Sequence, residues 1–205
     1  MSYLIVFDEM NLKCGVSYDQ QNDCMEGIED LGPILGKHRY FASSATVFMA
    51  RGLRSKWKQP VGYMVTDASI PAAILKLLIL QCIHKLTDIG LQVMGVVCDQ
   101  GPNNLSCMRT HLHVSADTPY FIVDDQRVYV IWDTPHLIKN TRNNLRNNGY
   151  SVGNHAVTWS HIESFYEQDC KLDVRCAPKL KKNHIDLPNL RGIEKGAFCK
   201  LSLCK

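Results

Sequence analysis

Three apolar runs in this chain each stop on an aspartate. Tyr3–Phe7 runs into Asp8, Leu91–Cys98 into Asp99, and Arg127–Trp132 into Asp133. Runs this short and this continuously apolar predict strands buried on both faces. In an open sheet, ligands gather outside the carboxyl ends of the strands. If the first two of these strands pair, Asp8 and Asp99 become neighbours. Two carboxylates about 4 Å apart repel by about 4 kcal/mol at an effective dielectric of about 20. A proton, a basic residue or a divalent cation must offset that repulsion. Oxygen-only ligands with open positions favour Mg²⁺ or Mn²⁺, the ions of phosphodiester chemistry. A strand-terminal aspartate also caps turns, and that reading stays open for each of the three. It is the preferred one for Asp133, because Thr134-Pro135 opens a helix directly after it; a supporting acid is its second reading. His136 reads either as a contact to phosphate or catalytic water, or as a packed structural histidine.

Other chemistries find less support. No GxGxxG or GxxxxGK[ST] string is present, so neither nucleotide-cradling loop is signalled. The nine cysteines are odd in number and irregularly spaced, which predicts free thiols in a reducing compartment. Cys170/Cys176 and Cys199/Cys204 are not C-x-x-C pairs, and His111/His113 lack cysteine partners at finger spacing, so zinc is not expected.

The net charge of +3 hides an asymmetry. Residues 1–133 carry 11 Lys and Arg against 14 Asp and Glu, a net −3, while residues 134–205 carry 12 against 6, a net +6. An acidic half followed by a basic half suits a polyanionic partner that still needs a carboxylate cluster. Lys139, Arg142 and Arg146 share one face of a predicted helix, and Lys179, Lys181 and Lys182 form a second cluster; both are candidate DNA phosphate contacts. Trp57, set among Arg54, Lys56 and Lys58, reads as a base-stacking residue or as a hairpin plug.

The elements that must position these residues follow from the pattern. Leu12–Tyr18 is a candidate second strand, and Asp19–Phe41 reads as a loop or ragged hairpin. Ala45–Leu53 and Gln59–Thr66 predict an antiparallel pair. Ser69 and Pro71 open a helix whose apolar positions, Ile74, Leu75, Leu78, Cys82, Leu86 and Ile89, recur at helical spacing as far as Gly90. The strand to Cys98 follows, so strand, helix and strand imply a parallel crossover. Asn104–Leu112 predicts a short helix, Ser115–Pro119 a loop, and His136–Asn147 a basic helix. Trp159–Glu167 is weakly helical, and Cys170–Lys205 is basic and poorly periodic.

Early antiparallel strands followed by helix-linked parallel strands make a mixed α/β sheet of ribonuclease H-like type. A composition of 45% hydrophobic and 21% charged residues excludes a disordered, collagen-like or coiled-coil chain. The longest apolar stretch, Ile70–Ile83, is broken by Lys76 and Gln81 and falls short of the roughly 20 residues a membrane helix needs. The N-terminus lacks a basic n-region, so no signal peptide is expected.

Several strings resemble the P-element transposase family, which includes the transposase-derived THAP-domain proteins of animals. They are FDEM at Phe7–Met10, RGLRSKWKQPVGY at Arg51–Tyr63, the helix ending DIG at Asp88–Gly90, VVCDQG at Val96–Gly101 and WDTPHLIKNTRNN at Trp132–Asn144. NHIDLPN at Asn183–Asn189 resembles a later stretch. The resemblance implies a ribonuclease H-like catalytic domain over residues 1–150, with residues 151–205 the start of a GTP-binding insertion or a divergent tail. It implies that Asp8 and Asp99 are catalytic metal ligands, and that the third acid is a glutamate beyond the insertion, past the end of this chain. An N-terminal THAP zinc module and a coiled-coil segment belong to the family and are not expected here. Leu190–Lys205 does not continue the family pattern, which leaves GTP binding in doubt. The resemblance further implies DNA as partner, a nuclear location, and association with itself or with a full-length transposase. Without the third acid, a non-catalytic DNA-binding or transposase-interacting fragment is the alternative.

Overall fold

The structure is a computed structural model that describes residues 2–186. The first strand, β1 (Ser2–Asn11), contains the apolar run; Ile5 and Phe7 are buried and alternate with half-buried Leu4 and Val6. The chain then departs from expectation. Leu12–Tyr18 is not a strand of the main sheet. Lys13–Tyr18 are exposed, and only β2 (Ser17–Asp19) is extended, paired with β3 (Cys24–Glu26) in a small hairpin of its own. The segment lacks an alternating apolar set with a face to bury, so nothing draws it into the sheet. The ragged region ahead supplies β4 (Ile28–Asp30), a single turn α1 (Gly32–Leu35) and β5 (Lys37–Phe41), which extend the sheet at its edge.

The expected antiparallel pair is β6 (Ser44–Gly52) and β7 (Lys58–Thr66). Helix α2 (Ala72–Asp88) follows, and Gly90, at φ +83°, ends it as expected. Ser69 does not cap it. The residue before the helix is Pro71, and no side chain caps that end. Strand β8 (Gln92–Cys98) leads to α3 (Pro102–Ser106), which runs directly into a π-turn, Cys107–His111. Strands β9 (Tyr120–Val123) and β10 (Gln126–Trp132) form a hairpin whose turn, Asp124-Asp125, holds both residues at positive φ. The four residues of β9 are too few to show a period, and only the pairing with β10 identifies them. Beyond lie α4 (Thr134–Asn147), a two-stranded hairpin of β11 (Tyr150–Val152) and β12 (His155–Val157), α5 (Trp159–Asp169) and α6 (Lys182–Ile185).

The main sheet has eight strands in the order β5-β4-β7-β6-β1-β8-β10-β9. β1 is its pivot, antiparallel to β6 on one side and parallel to β8 on the other, with β10 parallel to β8. Ile5, Phe7, Phe48 and Val96 of the sheet pack with Leu75, Leu78, Ile79 and Ile83 of α2 in one core. The result is the mixed α/β architecture that the sequence predicted. The chain forms two compact units, Met1–Asp133 and Thr134–Lys205. The divergent stretch at 190–205, with Cys199 and Cys204, lies outside the described residues, as do the last residues of the NHIDLPN string. Among the described residues no helix is long and apolar enough to cross a membrane.

Candidate active site

The register of the three parallel strands places their acids. Val6 pairs with Val97, and Val97 pairs with Ile131, so these three form one row across β1, β8 and β10. Asp8, Asp99 and Asp133 each lie two residues beyond that row. Asp99 and Asp133 directly follow the last residues of β8 and β10, and Asp8 lies two residues past the paired row in β1, so all three belong to the same end of three neighbouring strands. The backbone continues the ladder on one side, where the Asp133 N–H donates to the Cys98 carbonyl at 2.8 Å.

Each carboxylate is held differently. Asp8 is exposed, and its Oδ1 accepts the Glu9 N–H at 3.0 Å. Asp99 is half-buried, and its Oδ1 accepts the Gly101 N–H at 2.8 Å and Asn104 Nδ2–H at 2.7 Å. The Gly-Pro-Asn-Asn turn after β8 thus folds α3 back over the acid. A Cβ at Gly101 would come within 3.1 Å of Asp99 Oδ1, so this turn leaves little room for a side chain there. Asp133 is half-buried and immediately precedes α4. The buried Cys98 thiol reports on its neighbours: burial first, then the charges of Asp99, Cys107 and Asp133, push its pKa up to about 12. It stays a neutral thiol at physiological pH, which leaves oxygen as the donor type at this end of the strands. Among the described residues no group of three or more His, Cys, Asp and Glu side chains is arranged to hold a metal ion. Asp8 and Asp99 are oxygen donors that could together hold a hard cation. That suits Mg²⁺, which binds through one or two carboxylates together with substrate phosphates.

Two residues that the sequence did not single out belong to this end of the strands. Glu9 Oε1 accepts Ser44 Oγ–H and Ser69 Oγ–H, both at 2.9 Å, tying the tip of β1 to β6 and to the approach of α2. Asn104 fixes Asp99. Its one signal in the sequence was a place at the start of a helix, five residues after the acid.

The basic candidates divide by burial. In α4, Arg142 is 6% exposed, and its Nε and Nη2 donate to Asn143 Oδ1 at 3.2 and 2.9 Å. Burial, and then Arg146, lower its pKa. Lys139, Arg146 and His136 are half-buried. Lys179, Lys181 and Lys182 are exposed. Their loop is anchored by Asp169, 2% exposed, whose carboxylate accepts the Cys176 and Ala177 N–H groups and Arg175 Nε–H.

Comparison with known proteins decides the family. The family described as TNP-like, RNase H N-terminal domain, matches residues 2–112. The chain belongs to this family, that of the P-element transposases. It is 27% identical over 190 residues to the transposable element P transposase of Drosophila melanogaster, covering 91% of this chain and 23% of that protein. It is 25% identical over 172 residues to the human DNA transposase THAP9, covering 77% of this chain and 18% of that protein. This member thus spans about a quarter or less of the length of these relatives. In structure it resembles a chain of the Drosophila P element transposase strand transfer complex, with a TM-score of 0.76 and 26% identity over 98% of this chain and 42% of that one. The P-element family sheet is therefore ribonuclease H-like.

Proposed function

We propose that this chain is the metal-binding part of a DNA transposase catalytic domain, with Asp8 and Asp99 as its cation ligands. The observation that supports the reading is the Val6–Val97 pairing of parallel β1 and β8, two residues short of Asp8 and of Asp99. Mg²⁺ or Mn²⁺ held there would activate water or a 3′-hydroxyl and stabilise the leaving oxygen in phosphodiester cleavage and strand transfer. The protein's own residues supply position. Gly101 and Asn104 fix Asp99 Oδ1, the Glu9 N–H holds Asp8 Oδ1, and the Glu9 side chain pins the strand tip. Asp133 lies at the same end of the strands as a supporting acid or helix cap. DNA is the partner in this reading. Two observations support it: the similar solved chain belongs to a transposase strand transfer complex, and Lys179, Lys181 and Lys182 are exposed. A chain acting on genomic DNA works in the nucleus. GTP has no assigned residues among those described.

The lack of a three-ligand group among the described residues favours a second reading, a DNA-binding or transposase-interacting module without catalysis. One experiment separates the two. Mn²⁺ binding is titrated by electron paramagnetic resonance, and nicking of supercoiled plasmid is followed in Mn²⁺, for the wild type, Asp8→Asn and Asp99→Asn. The catalytic reading expects Mn²⁺ affinity at least about tenfold weaker in each variant and nicking lost in both. DNA binding that survives both substitutions, with no nicking by the wild type, establishes the module instead. Nicking that persists in Asp8→Asn would show the site to be elsewhere.

A further inference from the structure

The charge of the first unit is unevenly distributed. From Asp30 to Asp67 the chain has no intervening carboxylate, yet Lys37, Arg39, Arg51, Arg54, Lys56 and Lys58 all fall there. The net negative charge of residues 1–133 conceals this island. Lys37 lies 3.9 Å from Asp30. Arg51, Arg54, Lys56 and Lys58 sit where β6 turns into β7, and all four are exposed. Among the described residues none of these four has an ion-pair partner.

The register adds an independent observation. Arg51 pairs directly with Lys58 across the hairpin. Like charges opposite one another in an antiparallel pair destabilise it. The tip is nonetheless firmly built. The Gly52 N–H donates to the Trp57 carbonyl at 2.9 Å, and the Leu53 N–H donates to the Ser2 carbonyl at 3.0 Å. A Cβ at Gly52 would fall 2.2 Å from Ser55 Oγ. Tyr3 meets Trp57 edge-on, ring centres 5.3 Å apart, while Trp57 stays 43% exposed. A rigid turn thus presents four unneutralised cations and a half-open indole to solvent, with a repulsion that a bound polyanion would relieve.

We propose that the β6–β7 hairpin is a binding site for the backbone of duplex DNA. The inference rests on the DNA reading above and extends it to residues 51–58. Arginine forks match phosphate oxygens in pairs, lysines add point charges, and the open face of Trp57 lies against sugar or an unstacked base. The site does not share in the chemistry. Leu4 pairs with Arg51 whereas Asp8 pairs with Val47, so at roughly 3.3 Å per residue the nearest hairpin cation is about 13 Å along the strand from the acid. The hairpin grips flanking duplex and gives register, without reading sequence.

The test is fluorescence anisotropy of a labelled random-sequence duplex across a series of NaCl concentrations. It compares the wild type with Arg51→Gln, Lys58→Gln, Arg51→Lys and the fourfold Arg51→Gln/Arg54→Gln/Lys56→Gln/Lys58→Gln chain. Each phosphate contact contributes a slope of about 0.9 in log affinity against log salt. The slope is expected to fall by about 1 in each single Gln variant and by about 3 to 4 in the fourfold chain. Arg51→Lys keeps the wild-type slope. The melting temperature of Lys58→Gln is expected to equal or exceed that of the wild type, because the opposed charges are relieved. A folded fourfold chain with an unchanged slope overturns the hairpin site and leaves the transposase reading standing. A wild type that shows no salt-dependent DNA binding overturns both. Binding of poly-glutamate through these residues, with duplex ignored, replaces DNA by an acidic protein partner and overturns the proposal.

Discussion

At the scale of single residues, the candidate site depends on groups that orient the acids as much as on the acids themselves. Asp99 Oδ1 takes two hydrogen bonds, one from backbone and one from Asn104. Partners of this kind set the angle at which a carboxylate meets a cation, and their removal typically weakens metal binding by about 10- to 100-fold. Asn104→Ala is therefore expected to weaken Mn²⁺ binding by about that factor, measured by titration on the folded chain, while costing about 1 kcal/mol of stability for one lost hydrogen bond. Unchanged Mn²⁺ affinity would reduce Asn104 to a helix-start residue. The aspartates were legible from the sequence because a buried strand ending on a charge is a local pattern. Asn104 was not, because its role depends on α3 folding back over Asp99.

At the scale of elements, β8 must lie close to both its neighbours, and a glycine sits where it meets them. Gly95 of β8 pairs with both Leu4 and Tyr129. A Cβ there would sit 2.8 Å from the Tyr129 carbonyl oxygen and 3.2 Å from Leu4 Cδ2. The first of these is backbone and cannot swing aside. Gly95→Ala is expected to cost about 1–3 kcal/mol by overpacking, read as a lower midpoint of urea unfolding. Gly62 of β7 has open space where its Cβ would be and no positive φ. Gly62→Ala should leave the midpoint unchanged or slightly raised. Equal effects at the two positions would contradict the packing described for β8. The strands that sequence recovered, β1, β6, β7, β8 and β10, carry apolar runs or alternation; β2 to β5 and β9 are short segments whose only stabilising context is a neighbouring strand.

At the scale of the molecule, stability should depend on pH through buried and bridged carboxylates. Burial works to raise the pKa of Asp169, but hydrogen bonds from the Cys176 N–H, Arg175 and the Ala177 N–H together bring it below the ordinary value. Glu29 is likewise lowered, first by the His38 hydrogen bond at 2.6 Å. A carboxylate with a depressed folded pKa contributes stability that is fully present above its unfolded pKa, about 3.9 for Asp and 4.3 for Glu. That contribution is lost as pH falls through the folded value. The wild type should thus lose thermal stability from about pH 4 downward. Asp169→Asn should melt lower at neutral pH and show a shallower acid decline, the remainder coming from other lowered carboxylates such as Glu29. Parallel melting curves against pH for the two chains would remove Asp169 from this account.

Taken by itself, the sequence determined where the longer strands and helices lie, that the sheet mixes antiparallel and parallel strands, and that three acids close three buried strands. These are local properties, written in the spacing of apolar residues and in the charge that stops each run. Tertiary structure alone decided which strands became neighbours, and so that Val6, Val97 and Ile131 share one row with the acids beyond it. It decided that Arg142 is buried although its helix face is basic, and that Arg51 stands opposite Lys58. Strand order joins residues far apart in the chain, such as Val6 and Val97, which no local window of sequence contains; even within a hairpin the apolar pattern leaves the exact register, and so the Arg51–Lys58 pairing, to the folded structure.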